Sequence, residues 1–205
     1  MGQRPPLLTR VTVAESAFDE AHPYSLHVAV FDFVDSVLQA QYRPEELLPE
    51  AVRSYWLSEY VGTVANGGHA SLVANLEFPP DMRRHVRTAL AELGPPEAQA
   101  IFADLEAFAK RHPARLERCH GGSHEIDPFF YALDDRYGAL PRDGLMLAQR
   151  AWLLTRGWIE MLPDRAMAAL RGRLVPPHPD ADARRDSDRT DASALTVRRG
   201  LLRRH

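Results

Sequence analysis

The chain is 205 residues long, with 25 basic and 28 acidic side chains, a formal charge of −3 and a single cysteine. That length fits one domain plus a tail and can bury a stable core without metal or disulfide support. The near balance of charge argues against a nucleic-acid binder with a basic footprint, and the lone Cys119 cannot close an internal bridge, which favours a reducing, cytoplasmic setting.

In chain order, Met1 to Val13 carries no apolar run of signal-peptide length, and nothing further along reaches the roughly 20 apolar residues of a membrane span. The only strand-like pattern is Leu8 to Val13. Helical spacing of apolar residues then predicts a helix over Ser25–Gln39, striped by Val30, Phe33, Val34, Val37 and Leu38. A second should start near Pro44, whose fixed φ suits a first helical position, and end at Asn66-Gly67-Gly68. Shorter helices follow over His69–Leu76, over Met82–Leu93 capped by Asp81, and over Glu97–Arg111. Asp127-Pro128 opens another through Tyr137, Asp143 caps the most apolar one, Leu145–Leu162, and Pro163–Leu174 supplies the last.

From Pro176 apolar residues are scarce and charges of both signs crowd together, the composition of a disordered tail. The expected fold is therefore all-α: a compact bundle of six to eight helices over residues 21–175, preceded by an extension, 1–20, and followed by a charged tail, 176–205.

Four features carry the functional reading. Asn66-Gly67-Gly68 allows a left-handed helix end, and backbone N–H groups opening the helix at His69 could cradle an anion. Glu59 falls inside the apolar arc of Leu48, Val52, Tyr55 and Trp56, so its carboxylate should face the core or a groove; with Asn66, Gly67, Gly68 and His69 it defines a candidate pocket. Cys119, His120, His124, Glu125 and Asp127 cluster around glycines, which make a loop rather than a metal-binding helical face, so no metal is expected. Asp19, Glu20, Asp32, Asp35, Glu45, Glu46 and Glu50 supply the acid excess of the first 60 residues, where nine acids meet four arginines, and are the candidate partner-binding face. No nucleophile elbow, phosphate loop or dinucleotide fingerprint occurs, so neither catalytic residues nor a cofactor are expected.

The segments EYVGTVANGGHASLVAN (59–75), ALAELGPPEAQAIFADLEAF (89–108), FYALDDRY (130–137) and the closing apolar helix, in that order, resemble the helical domain of the DMP-type DNA-mimic proteins over roughly residues 45–165. That resemblance implies an all-α fold and, for the founding member, an acidic dimer that imitates the DNA phosphate array and sequesters a DNA-binding regulator. It implies no catalytic residues; Asn66, Gly67, Gly68, Leu133 and Asp134 match the family pattern as structural positions. Arg83, Arg84, Arg87, Arg111, Arg115 and Arg118 would interrupt a continuous acidic surface, which confines the expected mimicry to the first third.

The expected function is a non-catalytic protein-binding module that engages a DNA-binding protein through an acidic helical face, with no direct nucleic-acid or membrane contact and with homodimerisation open. A ligand-binding protein or enzyme centred on Glu59 and the Asn66–Gly68 turn, and a structural or assembly protein, are the alternatives.

Overall fold

A computed structural model describes residues 8–76, 78–120, 126–170 and 173–187. The chain is predominantly α-helical. Strand β1 (Val11–Ala14) leads through a 3₁₀ turn (Glu15–Phe18) into α1 (Ser25–Gln39), and a second 3₁₀ turn (Pro44–Glu46) precedes α2 (Pro49–Leu76). Then come α3 (Pro80–Leu93), α4 (Pro96–Arg111), α5 (Pro113–His120), α6 (Pro128–Gly138), α7 (Gly144–Leu154), strand β2 (Ile159–Leu162) and α8 (Asp164–Leu170). Residues 181–187 form a further helical stretch. Among the described residues no helix is long and apolar enough to cross a membrane.

Proline sets the helix starts. Five helices, α2 to α6, begin on one, where the missing N–H costs no intrahelical bond and the fixed φ is already helical. Consequently α3 starts at Pro80, and Asp81, expected as its cap, sits inside the first turn beside Arg84. Asp127 does cap α6, accepting the Phe129 N–H at 3.1 Å. Asp143 holds the cap position of α7, but its side chain makes no cap hydrogen bond.

Helix α2 is the spine. Its first half closes a core with β1 and α1 (Val13, Leu26, Val30, Val34, Val37 and Val52), and its second half closes another with α3, α4 and α6 (Leu72, Val86, Ile101, Phe102 and Phe130). Trp56 packs against both. The expected break at Asn66-Gly67-Gly68 is present as a kink rather than a stop: Gly68 has φ +72° and ψ −179°, and helix resumes at once. Backbone of that kind is essentially restricted to glycine.

Three further departures have physical causes. The apolar run expected as one helix, Leu145–Leu162, breaks after Leu154, and Ile159–Leu162 becomes β2, paired in parallel with β1 in the register Val11–Ile159 to Ala14–Leu162. A partner nearly 150 residues away leaves no trace in local periodicity. Val11, Val13 and Ala17 are accordingly buried, so this part of the N-terminal stretch belongs to the core. Helix α5 occupies residues with no apolar stripe to announce it.

The charged segment from Pro176 is docked through its described part. The His178 N–H donates to the Ala40 carbonyl at 2.8 Å, Ala181 is buried, and the Arg184 guanidinium donates to both Glu46 oxygens at 2.6 and 2.8 Å. Composition pointed to a free tail there because the contacts come from single polar side chains rather than an apolar face. Residues 188–205 lie outside the described residues.

Candidate functional site

Helices α1 and α2 run antiparallel and face one another along two stripes. On α1, His27, Phe31 and Asp35 are four residues apart; on α2, Tyr55, Glu59, Gly62 and Asn66 recur at steps of three and four. These spacings bring side chains onto one face of a helix. Phe31 stacks on Tyr55 with centroids 4.9 Å apart and planes 12° from parallel. Toward the other end the stripes separate and enclose a cavity of about 330 Å³, lined by His27, Phe31, Ser58, Glu59, Asn66 and, from α7, Met146. A Cβ added at Gly62 would meet nothing within 4 Å, so the absent side chain leaves part of that space open.

Glu59 is half-buried and faces the groove, in accord with its place in the apolar arc. Burial raises its pKa above the ordinary carboxylate value, and the neighbouring charge of Asp35 raises it further. Asp32, one turn ahead of Asp35, is raised for the same two reasons. His27 is only 4% exposed; burial lowers its pKa, and its buried Nδ1 has no hydrogen-bond partner among the described residues. A half-buried carboxylate with no cation partner among the described residues is costly.

The other members of the expected pocket divide between the cavity and the core. Asn66 lines the cavity with Glu59, whereas His69 is fully buried on the core side of the kink. Its backbone N–H and its Nδ1 both reach Asp134 Oδ1, at 2.9 and 2.6 Å, and its Nε2 lies 3.1 Å from the Tyr60 hydroxyl. Burial outweighs the adjacent carboxylate and lowers the His69 pKa, so the neutral ring donates from Nδ1 and accepts from Tyr60 at Nε2. Tyr137 packs edge-on against both rings. Gly68 lies directly under Asp134: a Cβ there would collide with the carboxylate. The His69 N–H at the kink is thus taken by Asp134. Leu133, beside it on α6, is a core residue.

The seven expected partner-binding acids are not gathered in one place. Asp19 is exposed and bonds the Ala21 N–H and His22, which lowers its pKa. Glu20 and Glu45 are exposed and Glu50 is half-buried. Glu46 is neutralised by Arg184, with His178 Nε2 at 3.6 Å, and its pKa falls to about 2. Asp35 sits at the groove. Asp32 lines a second cavity of about 560 Å³ between β1, α1 and α8, where Asp164 already accepts from the Ser16 N–H and hydroxyl.

Cys119 donates weakly to the Arg115 carbonyl, and Asp127 is held by the Arg115 guanidinium at 2.6 and 2.7 Å. His124, Glu125 and the side chain of His120 lie outside the described residues. Among the described residues no three His, Cys, Asp or Glu side chains gather as metal ligands would. His27, Phe31, Gly62 and Met146 went unnoticed in the sequence reading; the four-residue steps on α1 facing those on α2 were the available signal.

The DMP19-like protein family model matches residues 45–156, more than half of the chain. The chain belongs to the DMP19-like family. The DMP19-like segment contains Glu59, the Gly68 kink, His69 and Asp134, whereas α1, with Asp32 and Asp35, precedes it. The acidic groove therefore forms where the DMP19-like segment meets the helix before it. No curated protein and no solved structure matches the chain.

Proposed function

We propose that the protein is a non-catalytic protein-binding module that engages a DNA-binding regulator, in the manner of a DNA mimic, through the acidic groove between α1 and α2. One contrast carries the reading. Several acids elsewhere are neutralised within the molecule: Glu92 by Arg53, Glu106 by Arg87, Glu97 and Asp104 by Arg136, and Asp127 by Arg115. Asp35 and Glu59 have no such arginine among the described residues; burial and the charge of Asp35 both raise the Glu59 pKa, and an incoming cation would offset both. Membership of the DMP19-like family supports a partner that itself binds DNA.

The test is capture of the partner by the full chain, followed by its identification and purification. Asp35→Lys combined with Glu59→Lys should abolish the complex, and duplex DNA should displace the protein from it. A partner that holds the charge-reversed variant as tightly as the unmodified chain, or that keeps DNA bound in a ternary complex, overturns the reading.

A further inference from the structure

The groove between α1, α2 and α7 is lined by one acid among polar and apolar side chains. Its single acid, Glu59, is half-buried and uncompensated, with Asp35 adding to the negative potential. Around it stand further polar groups: the Asn66 side-chain carbonyl, the Thr63 hydroxyl, and the Ser58 hydroxyl, which Gln149 Nε2 already engages at 3.0 Å. The ring of Phe31 and the thioether of Met146 provide apolar wall, and Val28 at the rim is 45% exposed.

These groups discriminate among cations. An ammonium is a compact, strongly hydrated point charge with three donors, and a space of about 330 Å³ would leave it loosely held. A guanidinium is planar, presents five donors in a fixed fork, carries a weaker hydration shell and stacks on an aromatic face. Its aliphatic stem would lie along Val28 and Met146 while its nitrogens meet the Glu59 carboxylate.

We propose that this cavity receives an arginine side chain of the partner protein, with Glu59 as its counter-ion and Phe31 as its stacking surface. This rests on the reading of the α1/α2 groove as the partner face, and adds to it the residue type that the groove selects. Proteins that bind DNA carry surface arginines to meet phosphates and base edges, so an arginine pocket would recruit the same side chains that DNA engages.

The probe is the peptide acetyl-Gly-Arg-Gly-amide, titrated into the full chain and followed by the amide resonances of Val28, Gly62 and Asn66. Binding is expected at a dissociation constant on the order of millimolar, as suits one side chain. The citrulline counterpart, isosteric but uncharged, should bind roughly tenfold more weakly, and the lysine peptide should also be weaker. Glu59→Gln removes the counter-ion and Gly62→Met fills the space without changing charge, so each should weaken the arginine peptide about tenfold. Equal binding of arginine and citrulline peptides, equal binding of arginine and lysine peptides, indifference to both variants, or shifts confined to other residues overturns the proposal. If the arginine peptide fails while capture of the partner still depends on Asp35, only the pocket assignment falls; if capture is indifferent to Asp35 and Glu59, the reading of the groove falls.

Discussion

One oxygen of Asp134 accepts two hydrogen bonds from His69, the backbone N–H at 2.9 Å and the ring Nδ1 at 2.6 Å, and so pins α6 to the kink of α2. Asp134→Ala leaves both donors without an acceptor, and we expect a loss of about 2–4 kcal/mol in urea unfolding. Asp134→Asn keeps an acceptor oxygen and should lose less. Equal stability of Asp134→Ala and the unmodified chain would remove this pair from the account of the fold.

Two glycines on α2 should respond oppositely to alanine. Gly68→Ala forces a side chain into a left-handed backbone and against Asp134, for an expected loss of about 2–4 kcal/mol. Gly62→Ala puts a methyl into open space on a regular helix and should gain about 0.5–1 kcal/mol. Thermal unfolding of the two variants side by side checks both signs.

Glu59→Gln should stabilise the protein near neutral pH. The folded-state pKa of Glu59 is raised above its ordinary 4.5, so the ionised form burdens the native state once pH exceeds that range. Below about pH 4 both states are protonated and the advantage of Gln should vanish. A stability gap that stays constant across that interval would contradict the placement of Glu59.

Acid should weaken the fold through two buried histidines and one half-buried one. His27, His69 and His85 are all lowered from 6.5, burial being the largest cause in each. The unfolded chain takes up protons near 6.5 while the native chain resists, so stability is present above that value and is lost as pH falls through and below it. Urea midpoints measured from about pH 7.5 to 5.5 should decline, and His27→Leu should decline less steeply.

Arg184→Ala should undock the segment around His178. Glu46 is lowered from 4.5 to about 2, chiefly by its hydrogen bonds to Arg184, so the clamp contributes stability above 4.5 and loses it as pH drops toward 2. In the variant the Glu46 carboxyl should titrate closer to its ordinary value by NMR, and amides near 178–184 should exchange faster. Unchanged protection there would mean that the ion pair does not hold the segment.

Helices were legible wherever an apolar stripe coincided with a terminator. Ser25–Gln39 emerges at its true bounds because Val30, Val34 and Val37 repeat on one face, and the kink at Gly68 follows from two consecutive glycines. The site was half legible: the position of Glu59 within an apolar arc foretold its burial, since helical phase alone fixes it. The surroundings of Glu59 were not, because Asp35 approaches it only after α1 folds back on α2. Likewise the role of His69 depended on Asp134, 65 residues away, which helical phase cannot reveal. The acids looked like one surface in sequence because proximity along a chain says nothing of which arginine arrives from elsewhere, as Arg184 does at Glu46.

The parallel pairing of Val11–Ala14 with Ile159–Leu162 has a consequence for synthesis. When the ribosome has finished α6, the segments of α2, α3, α4 and α6 that form one core are all present, yet β1 still has no edge to join. The groove-forming helix α1 must therefore wait, its inner valines incompletely covered, until the last quarter of the chain emerges. The part of the molecule that precedes the family segment is the part whose assembly is completed last.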